Sequence, residues 1–159
     1  MRHALARIVS GGQTGVDRAA LDVAIARGIA HGGWCPRGRR AEDGRIPARY
    51  RLTEHASPDY AARTEQNVVD SDATLVLASG RPRNGTALTV RLAARHAKPC
   101  LVVDLAASPA PSTVAAWLTT HAVDVLNVAG PRESGHPGIH DLAAAYLGRV
   151  LDAVVPPGA

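Results

Sequence analysis

The sequence predicts a single doubly wound α/β domain, in which helices cover both faces of a mostly parallel sheet of about five to seven strands. Three observations lead to this fold class. Short, almost continuously apolar runs recur along the chain, helical patterns separate them, and glycine-rich turns join several of the runs to the helices. The 159 residues, of which 46% are hydrophobic, are enough for one domain with a full core.

Five apolar runs are the predicted strands. They lack the alternation of a strand with one solvated face, which is typical of parallel strands covered on both sides. In chain order the runs are Leu5 to Val9, a weaker one at Ala30 to Trp34, Thr74 to Leu77, Cys100 to Leu105, and Val123 to Val128.

Apolar residues at helical spacing predict five helices. The first carries a stripe from Val16 to Ala24 and ends at Gly28. For the second, Ser57 is the expected cap and Pro58 the expected first helical residue, and the helix runs to Val69. The other three cover Thr86 to Ala97, a segment that Ser112 opens and that contains Trp117, and Ile139 to Val154.

The one long irregular connection spans residues 35–58 and is rich in Arg, Gly and Pro. A long excursion inside a compact domain is usually functional, so we expect a lid or rim over a binding site. We expect the domain to span residues 1–155 and to be followed by a flexible tail at 156–159.

Apolar content, cysteine pattern and charge limit the classes of protein to which the chain could belong. No run approaches the roughly 18 apolar residues of a membrane span, and no secretory signal is recognisable, so we expect a soluble cytoplasmic protein without a membrane partner. Cys35 and Cys100 lie in no metal-binding or disulfide pattern. The net charge is +4, but only 3% of residues are aromatic and the arginines are scattered, which argues against nucleic-acid binding. We expect arginine clusters such as Arg39 and Arg40 to bind an anion locally.

The first loop, residues 10–15, follows the first strand and leads directly into the first helix. Gly11, Gly12 and Gly15 let the backbone turn tightly and approach a ligand, with Gln13 between them. Thr14 and Asp17 form a capping-box pattern at the helix start. Helix N-terminal amides attract oxyanions, so this loop is predicted to bind a phosphate-like group. The usual dinucleotide and NTPase fingerprints are both missing, which disfavours ATP hydrolysis.

The second loop, residues 79–86, repeats this design. It follows a strand and opens a helix, and its predicted anion-binding residues are Ser79, Gly80, Asn84, Gly85 and Thr86. Because ligands of doubly wound sheets collect at the carboxyl ends of the strands, we expect the first two loops to meet there.

The third loop, residues 129–138, is expected to join them. Gly130, Arg132 and Ser134 are predicted to contact the ligand, and Glu133 to orient a sugar hydroxyl or an arginine of the rim. His136 and His140 invite a metal-site interpretation, but no third ligand accompanies them, so no metal site is predicted.

Four ordered blocks resemble one known family. It is named the putative molybdenum carrier family and is also described as the circularly permuted YpsA-like branch of the Rossmann-like SLOG superfamily. The blocks are Ser10 to Asp17, Gly33 to Gly44, Arg63 to Asp72, and Asn127 to Ser134. The resemblance covers nearly the whole chain and implies a Rossmann-like domain, and by analogy with related proteins it implies a homo-oligomer.

The resemblance also implies the ligand. The first hypothesis is a carrier or binding protein for a small polyanion, namely molybdate, the molybdenum cofactor or a phosphorylated nucleotide derivative. Molybdate is an oxyanion and the molybdenum cofactor carries a phosphate, so glycine-rich helix N-termini and arginines suit both.

A rival hypothesis is a nucleotide-processing enzyme or a sensor of nucleotide derivatives. Phosphoribohydrolases of the Lonely guy type, often described as lysine decarboxylases, belong to the same superfamily. Arg63 matches the spacing of their catalytic arginine, and Gly85 and Thr86 match their Gly-Thr pair. Their catalytic glutamate is replaced by Thr89, so Glu65 or Glu133 would have to substitute. Arg63 and Glu65 are the catalytic candidates of this hypothesis.

Overall fold

A computed structural model describes residues 5–154 of the chain. Its centre is a five-stranded sheet in which every pair of neighbouring strands is parallel. Its strands are β1 (Arg7–Val9), β2 (Ala30–Gly32), β7 (Ala73–Ala78), β8 (Cys100–Asp104) and β9 (Val125–Ala129). They lie in the order β2, β1, β9, β7, β8.

Within residues 5–154 five helices flank this sheet. They are α1 (Val16–Ala26), α2 (Tyr60–Val69), α3 (Asn84–Arg95), α4 (Pro111–Thr120) and α5 (Ile139–Ala153). On one face α1 packs against α5 and α5 against α4, whereas α2 and α3 pack together on the other. The predicted doubly wound α/β fold with a mostly parallel sheet is therefore confirmed.

The larger hydrophobic core lies between the sheet and the α1, α4, α5 layer. Strand β7 is buried along its whole length, as its apolar sequence predicts for a central strand. A smaller core under α2 and α3 contains Val68, Leu92 and Ala93. The two cores cover both faces of the sheet, so the loops at its edge start from well-packed strands.

Residues 35–58, which we call the rim segment, are ordered and have a core of their own. The segment contains the short strands β4 (Arg40–Ala41), β5 (Gly44–Arg45) and β6 (Thr53–Glu54), and β6 pairs with β3 (Trp34–Cys35). Cys35, Ile46 and Tyr50 are almost fully buried against Leu21 of α1. The rim segment is therefore packed firmly onto the domain.

Two predicted helix starts are wrong. Helix α2 begins at Tyr60 with Asp59 as its N-cap, not at Pro58, because the Ser57 hydroxyl accepts a hydrogen bond from the Asp59 amide and forms a turn before the helix. Helix α4 begins at Pro111 rather than after Ser112, with the proline in the first turn. Gly28 adopts a left-handed φ of 69° just beyond α1, as expected of a helix-ending glycine.

No helix within residues 5–154 is long and apolar enough to cross a membrane. The predicted tail at 156–159 lies outside the described residues.

Candidate functional site

The three loops meet at the carboxyl edge of the sheet. Each follows one of the neighbouring strands β1, β9 and β7. Chain connections on the two sides of this point run in opposite directions along the sheet, which is where doubly wound domains bind ligands. A cavity of about 720 Å³ opens here and takes its walls from all three loops and from the start of α2. Its size is that of a site for a small organic molecule.

The second loop gives this cavity most of its backbone surface. Ser79 to Thr86 all line it, and α3 begins at Asn84, where no side chain of the described residues caps its N-terminus. A Cβ placed on Gly85 would meet no atom of the described part of the chain within 4 Å, so this turn has room for a ligand or a side chain. The α3 N-terminus therefore presents uncapped amides and a partial positive charge to the cavity.

The first loop contributes in a different way. Only Gln13 and Asp17 of this region line the main cavity. The Asp17 carboxylate accepts a hydrogen bond from the Gln13 amide (3.2 Å), and the Gln13 side chain accepts one from the Thr14 amide (3.1 Å). These amides are therefore already bonded within the protein.

The three glycines of the first loop admit neighbouring protein groups. A Cβ on Gly11 would lie 2.0 Å from Nη1 of Arg63, and one on Gly15 would lie 2.4 Å from the Pro131 carbonyl oxygen. Gly12 has a φ of 77° and faces Leu52 of the rim segment. Close packing of the loop against α2, the third loop and the rim segment explains these glycines.

The predicted capping box at Thr14 and Asp17 is wrong. Gly15 is the N-cap of α1, and no side chain among residues 5–154 caps this helix. The Thr14 hydroxyl donates to Glu42 and accepts from the Glu133 amide, while the Asp17 carboxylate turns back to Gln13. Thr14 thus connects the rim segment to the third loop, and Asp17 bonds back to its own loop, instead of capping the helix.

Glu42 ties the rim segment to the first and third loops. Its carboxylate accepts hydrogen bonds from the Thr14 hydroxyl and from the amide and hydroxyl of Ser134, and its own amide donates to Gln13 Oε1 (2.9 Å). Burial alone would raise the Glu42 pKa, but these hydrogen bonds and the Arg132 charge hold it below its usual value. Glu42 is thus an ionised residue that links the rim segment to two loops at the edge of the site.

Asp17 and Arg63 form the floor of the cavity. Both side chains are largely buried, and Asp17 Oδ2 lies 3.8 Å from Arg63 Nη1. Burial raises the pKa of Asp17 to about 6, although Arg63 and the Gln13 amide oppose the shift. Arg63 Nε and Gln13 Nε2 are buried and have no hydrogen-bond partner among the described residues. A carboxyl with a pKa near 6 beside a guanidinium whose buried Nε has no partner among the described residues is typical of a functional site.

Positive charge dominates the cavity walls. Four arginines line it, whereas Asp17 is the one carboxylate among its lining residues within the described chain. The arginines are Arg63, Arg81, Arg83 and Arg132. This balance favours an anionic ligand.

Several residues predicted to bind the ligand have other partners. The Arg39 guanidinium is buried and donates to the carbonyl groups of Ile46, Pro47 and Tyr50. Glu65 pairs with His96 at 2.9 Å and does not line the cavity. The Glu133 carboxylate accepts from the amides of Gly138 and His140 at the start of α5.

Arg40 and Ser134 lie just outside the cavity. Arg40 donates to the Pro58 carbonyl at 3.2 Å, and the Ser134 hydroxyl donates to Glu42. Gly130 lines the cavity, and a Cβ there would lie 2.3 Å from the Leu77 carbonyl oxygen. Ligand contact by these predicted residues stays a prediction.

Sequence reasoning did not single out several residues of the site, among them Glu42 and Tyr60. Glu42 stands at the tip of the β4–β5 hairpin, and no local signal announces its partners, which lie 28 and 92 residues away. Tyr60, the first residue of α2, lines the cavity. Only 3% of the residues are aromatic, so a tyrosine three positions before Arg63 was a sequence signal that could have indicated Tyr60 as a site residue. Within residues 5–154 no three His, Cys, Asp or Glu side chains form a set that could hold a metal ion.

Comparison with known proteins identifies the family. The model of the circularly permutated YpsA SLOG family matches residues 8–151, nearly the whole described chain. The chain belongs to this SLOG family. A crystal structure of the "Putative molybdenum carrier protein" from Syntrophus aciditrophicus SB is 44% identical and superimposes with a TM-score of 0.89. The match covers 95% of this chain and 98% of that one, and no curated protein matched. The predicted family is therefore confirmed for this SLOG protein.

Proposed function

We propose that this SLOG protein binds a phosphorylated small molecule of about nucleotide size in the cavity at the carboxyl edge of its sheet. The observation that carries the proposal is the charge of that cavity, where four arginines and an uncapped helix N-terminus face one carboxylate. Helix N-termini and guanidinium groups both form strong, charge-assisted hydrogen bonds to phosphate oxygens.

The size of the cavity distinguishes among the candidate ligands. A single tetrahedral oxyanion such as molybdate fills only a small part of 720 Å³, whereas pockets of 300 to 1,000 Å³ usually enclose a drug-sized molecule. The Syntrophus aciditrophicus protein is named for a molybdenum cargo. The molybdenum cofactor, which carries a phosphate, satisfies both the size and the charge, and a phosphorylated nucleotide derivative does so as well.

The N-terminus of α3 is the proposed phosphate position. Asn84 and Gly85 supply first-turn amides, and Arg83 immediately precedes the helix. Each charge-assisted contact is worth about 1.5 to 3 kcal/mol, so the loss of one guanidinium lowers affinity by about tenfold or more.

Isothermal titration calorimetry with AMP, inorganic phosphate and molybdate tests the proposal. We expect AMP to bind more tightly than either inorganic ion, and Arg83→Gln to weaken AMP binding by about tenfold or more. Arg91→Gln is the matched control, because Arg91 lies on the same helix but is exposed and does not line the cavity. Tighter binding of molybdate than of AMP would instead assign the site to the free oxyanion.

The raised pKa of Asp17 and its position in the cavity favour a second candidate function, the hydrolysis of a nucleotide derivative. A carboxyl whose pKa is about 6 can donate and accept protons near neutral pH, and Asp17 lines the cavity beside Arg63. In the hydrolysis of AMP, water would add to C1′ of the ribose while the C1′–N9 bond to adenine breaks. Asp17 would give its proton to the leaving adenine and regain one from the attacking water. Chromatography of AMP incubated with the protein tests this. Release of adenine that Asp17→Asn abolishes supports hydrolysis, and unchanged AMP refutes it.

A further inference from the structure

We propose that the cavity contains a second anion-binding subsite beside Tyr60, so that its ligand carries two anionic groups, as a diphosphate does. We call Tyr60, Arg63, Arg132 and Arg40 the Tyr60 subsite. The first three residues line the cavity, and Arg40 contacts the Tyr60 ring from outside it. This inference rests on the proposed function and specifies the class of ligand.

Three guanidinium groups from three segments converge on the Tyr60 ring. Their Cζ atoms lie 5.1 Å (Arg40), 5.5 Å (Arg63) and 5.6 Å (Arg132) from the ring centroid. The aromatic ring attracts each cation, but it carries no net charge and does not cancel their mutual repulsion. A cluster of three like charges around one neutral ring is therefore ready to receive an anion.

The guanidinium groups of this subsite keep donors for a ligand. Nη1 of Arg63 lies 3.8 Å from the Asp17 carboxylate and Nη1 of Arg132 lies 3.8 Å from that of Glu42, which is longer than a hydrogen bond. Arg63 Nη1 donates to the Thr64 hydroxyl, but Arg63 Nε has no partner among the described residues. The Glu42 oxygens are also already occupied by Thr14 and Ser134. Elsewhere in the protein the pairing is different, since Arg18 donates two hydrogen bonds to the Asp43 carboxylate.

The Tyr60 subsite is distinct from the phosphate position at α3. Tyr60 and Arg63 belong to α2 and Arg132 to the third loop, whereas Arg81, Arg83 and the α3 amides belong to the second loop. Both groups of residues line the same cavity. A ligand with two anionic groups would thus contact cations from different walls.

The charge of the cavity lining also favours more than one phosphate, although Glu42 outside the lining partly offsets Arg132. Four lining arginines against Asp17 leave at least three positive charges. A monophosphate supplies a charge of about −2 at neutral pH, and a diphosphate about −3. The diphosphate therefore matches the cavity more closely.

The test compares the affinities of ADP and AMP, with pyrophosphate and inorganic phosphate as a second pair. We expect the wild-type protein to bind ADP about tenfold to a hundredfold more tightly than AMP. Arg132→Gln should reduce this ratio toward one. Arg83→Gln should weaken the binding of ADP and of AMP equally and leave their affinity ratio unchanged, because each nucleotide places a phosphate at α3. Arg132 is half-exposed, so its variant is expected to fold, and equal unfolding midpoints verify this.

Equal affinities of wild-type protein for ADP and AMP would overturn the inference, and this comparison needs no variant. A ratio that survives in Arg132→Gln would overturn it as well. If AMP binds but ADP binds no more tightly, the Tyr60 subsite fails while the proposed function stands. If neither nucleotide nor either inorganic anion binds, the proposed function itself fails.

Discussion

The carboxylate of Asp17 lies 3.8 Å from the guanidinium of Arg63, and both are largely buried on the floor of the cavity. Burial raises the pKa of Asp17 to about 6, so the neighbouring arginine only partly offsets the cost of removing the carboxylate from water. The site thus contains a carboxyl whose protonation state changes near neutral pH and influences any anion bound beside it.

Replacement of Asp17 should stabilise the protein at alkaline pH. The folded-state pKa of about 6 exceeds the ordinary 3.8, so the folded protein binds the proton more tightly than the unfolded chain. Stability from this group is present below about pH 4 and lost as the pH rises through 6. Asp17→Asn should therefore raise the free energy of unfolding at pH 8 by up to about 3 kcal/mol. Urea denaturation at pH 4 and pH 8 measures this, and a variant less stable than wild type at pH 8 would contradict it.

Anion affinity should increase as the pH falls. The ionised Asp17 carboxylate repels a bound anion, and a bound anion raises the Asp17 pKa further, so binding takes up a proton. Sulfate is a suitable probe because its charge is constant between pH 5 and pH 8. Calorimetry should show tighter sulfate binding at pH 5 than at pH 8 in the wild-type protein and a smaller change in Asp17→Asn. Equal pH dependence in the two proteins would rule out Asp17 as the titrating group.

The hydrogen bonds of Glu42 should stabilise the packing of the rim segment against the loops of the site. Glu42→Gln keeps an acceptor oxygen but loses the charge that strengthens the hydrogen bonds from Thr14 and Ser134. We expect a loss of about 1 to 2 kcal/mol in the free energy of unfolding and faster amide exchange in residues 35–58. Glu65→Gln is the control, because Glu65 is in an exposed pair with His96. Amide exchange unchanged in the rim segment would show that Glu42 does not hold it.

His140 should stabilise the protein at low pH. Burial alone would lower its pKa, but hydrogen bonds to Asp141 and Asp22 raise it above its usual 6.5. Its contribution is fully present below about pH 6.5 and is lost as the pH rises through the folded-state pKa. Because the histidine is one-third exposed, the effect should be below about 1 kcal/mol. His140→Gln should cost more stability at pH 5.5 than at pH 9, and an equal cost at both would refute this.

The hydrophobic pattern predicted the fold because local rules determine where each strand is buried and where each helix ends. The continuous apolar run around Leu75 to Leu77 becomes a strand buried on both faces, and the glycine at position 28 ends α1 in a left-handed conformation. The convergence of the three loops then follows from the parallel topology.

Roles of polar side chains were harder to predict because their partners are distant in sequence. Thr14 looks like a helix cap, yet its hydroxyl is taken by Glu42 of the rim segment. Arg39 looks like an anion-binding residue, yet it donates to three backbone carbonyls of its own segment. Such choices depend on tertiary geometry, which local pattern does not contain.

The most direct test of the account is the AMP affinity of Gly85→Asp compared with Gly85→Asn. Gly85 lies in the first turn of α3, faces the cavity and has room for a side chain. An aspartate there suits the helix N-terminus and should not lower stability, but it places a carboxylate where the phosphate is proposed to bind. We predict that Gly85→Asp binds AMP at least about tenfold more weakly than the neutral, equally sized Gly85→Asn. Equal AMP affinities in the two variants would contradict a phosphate at this helix.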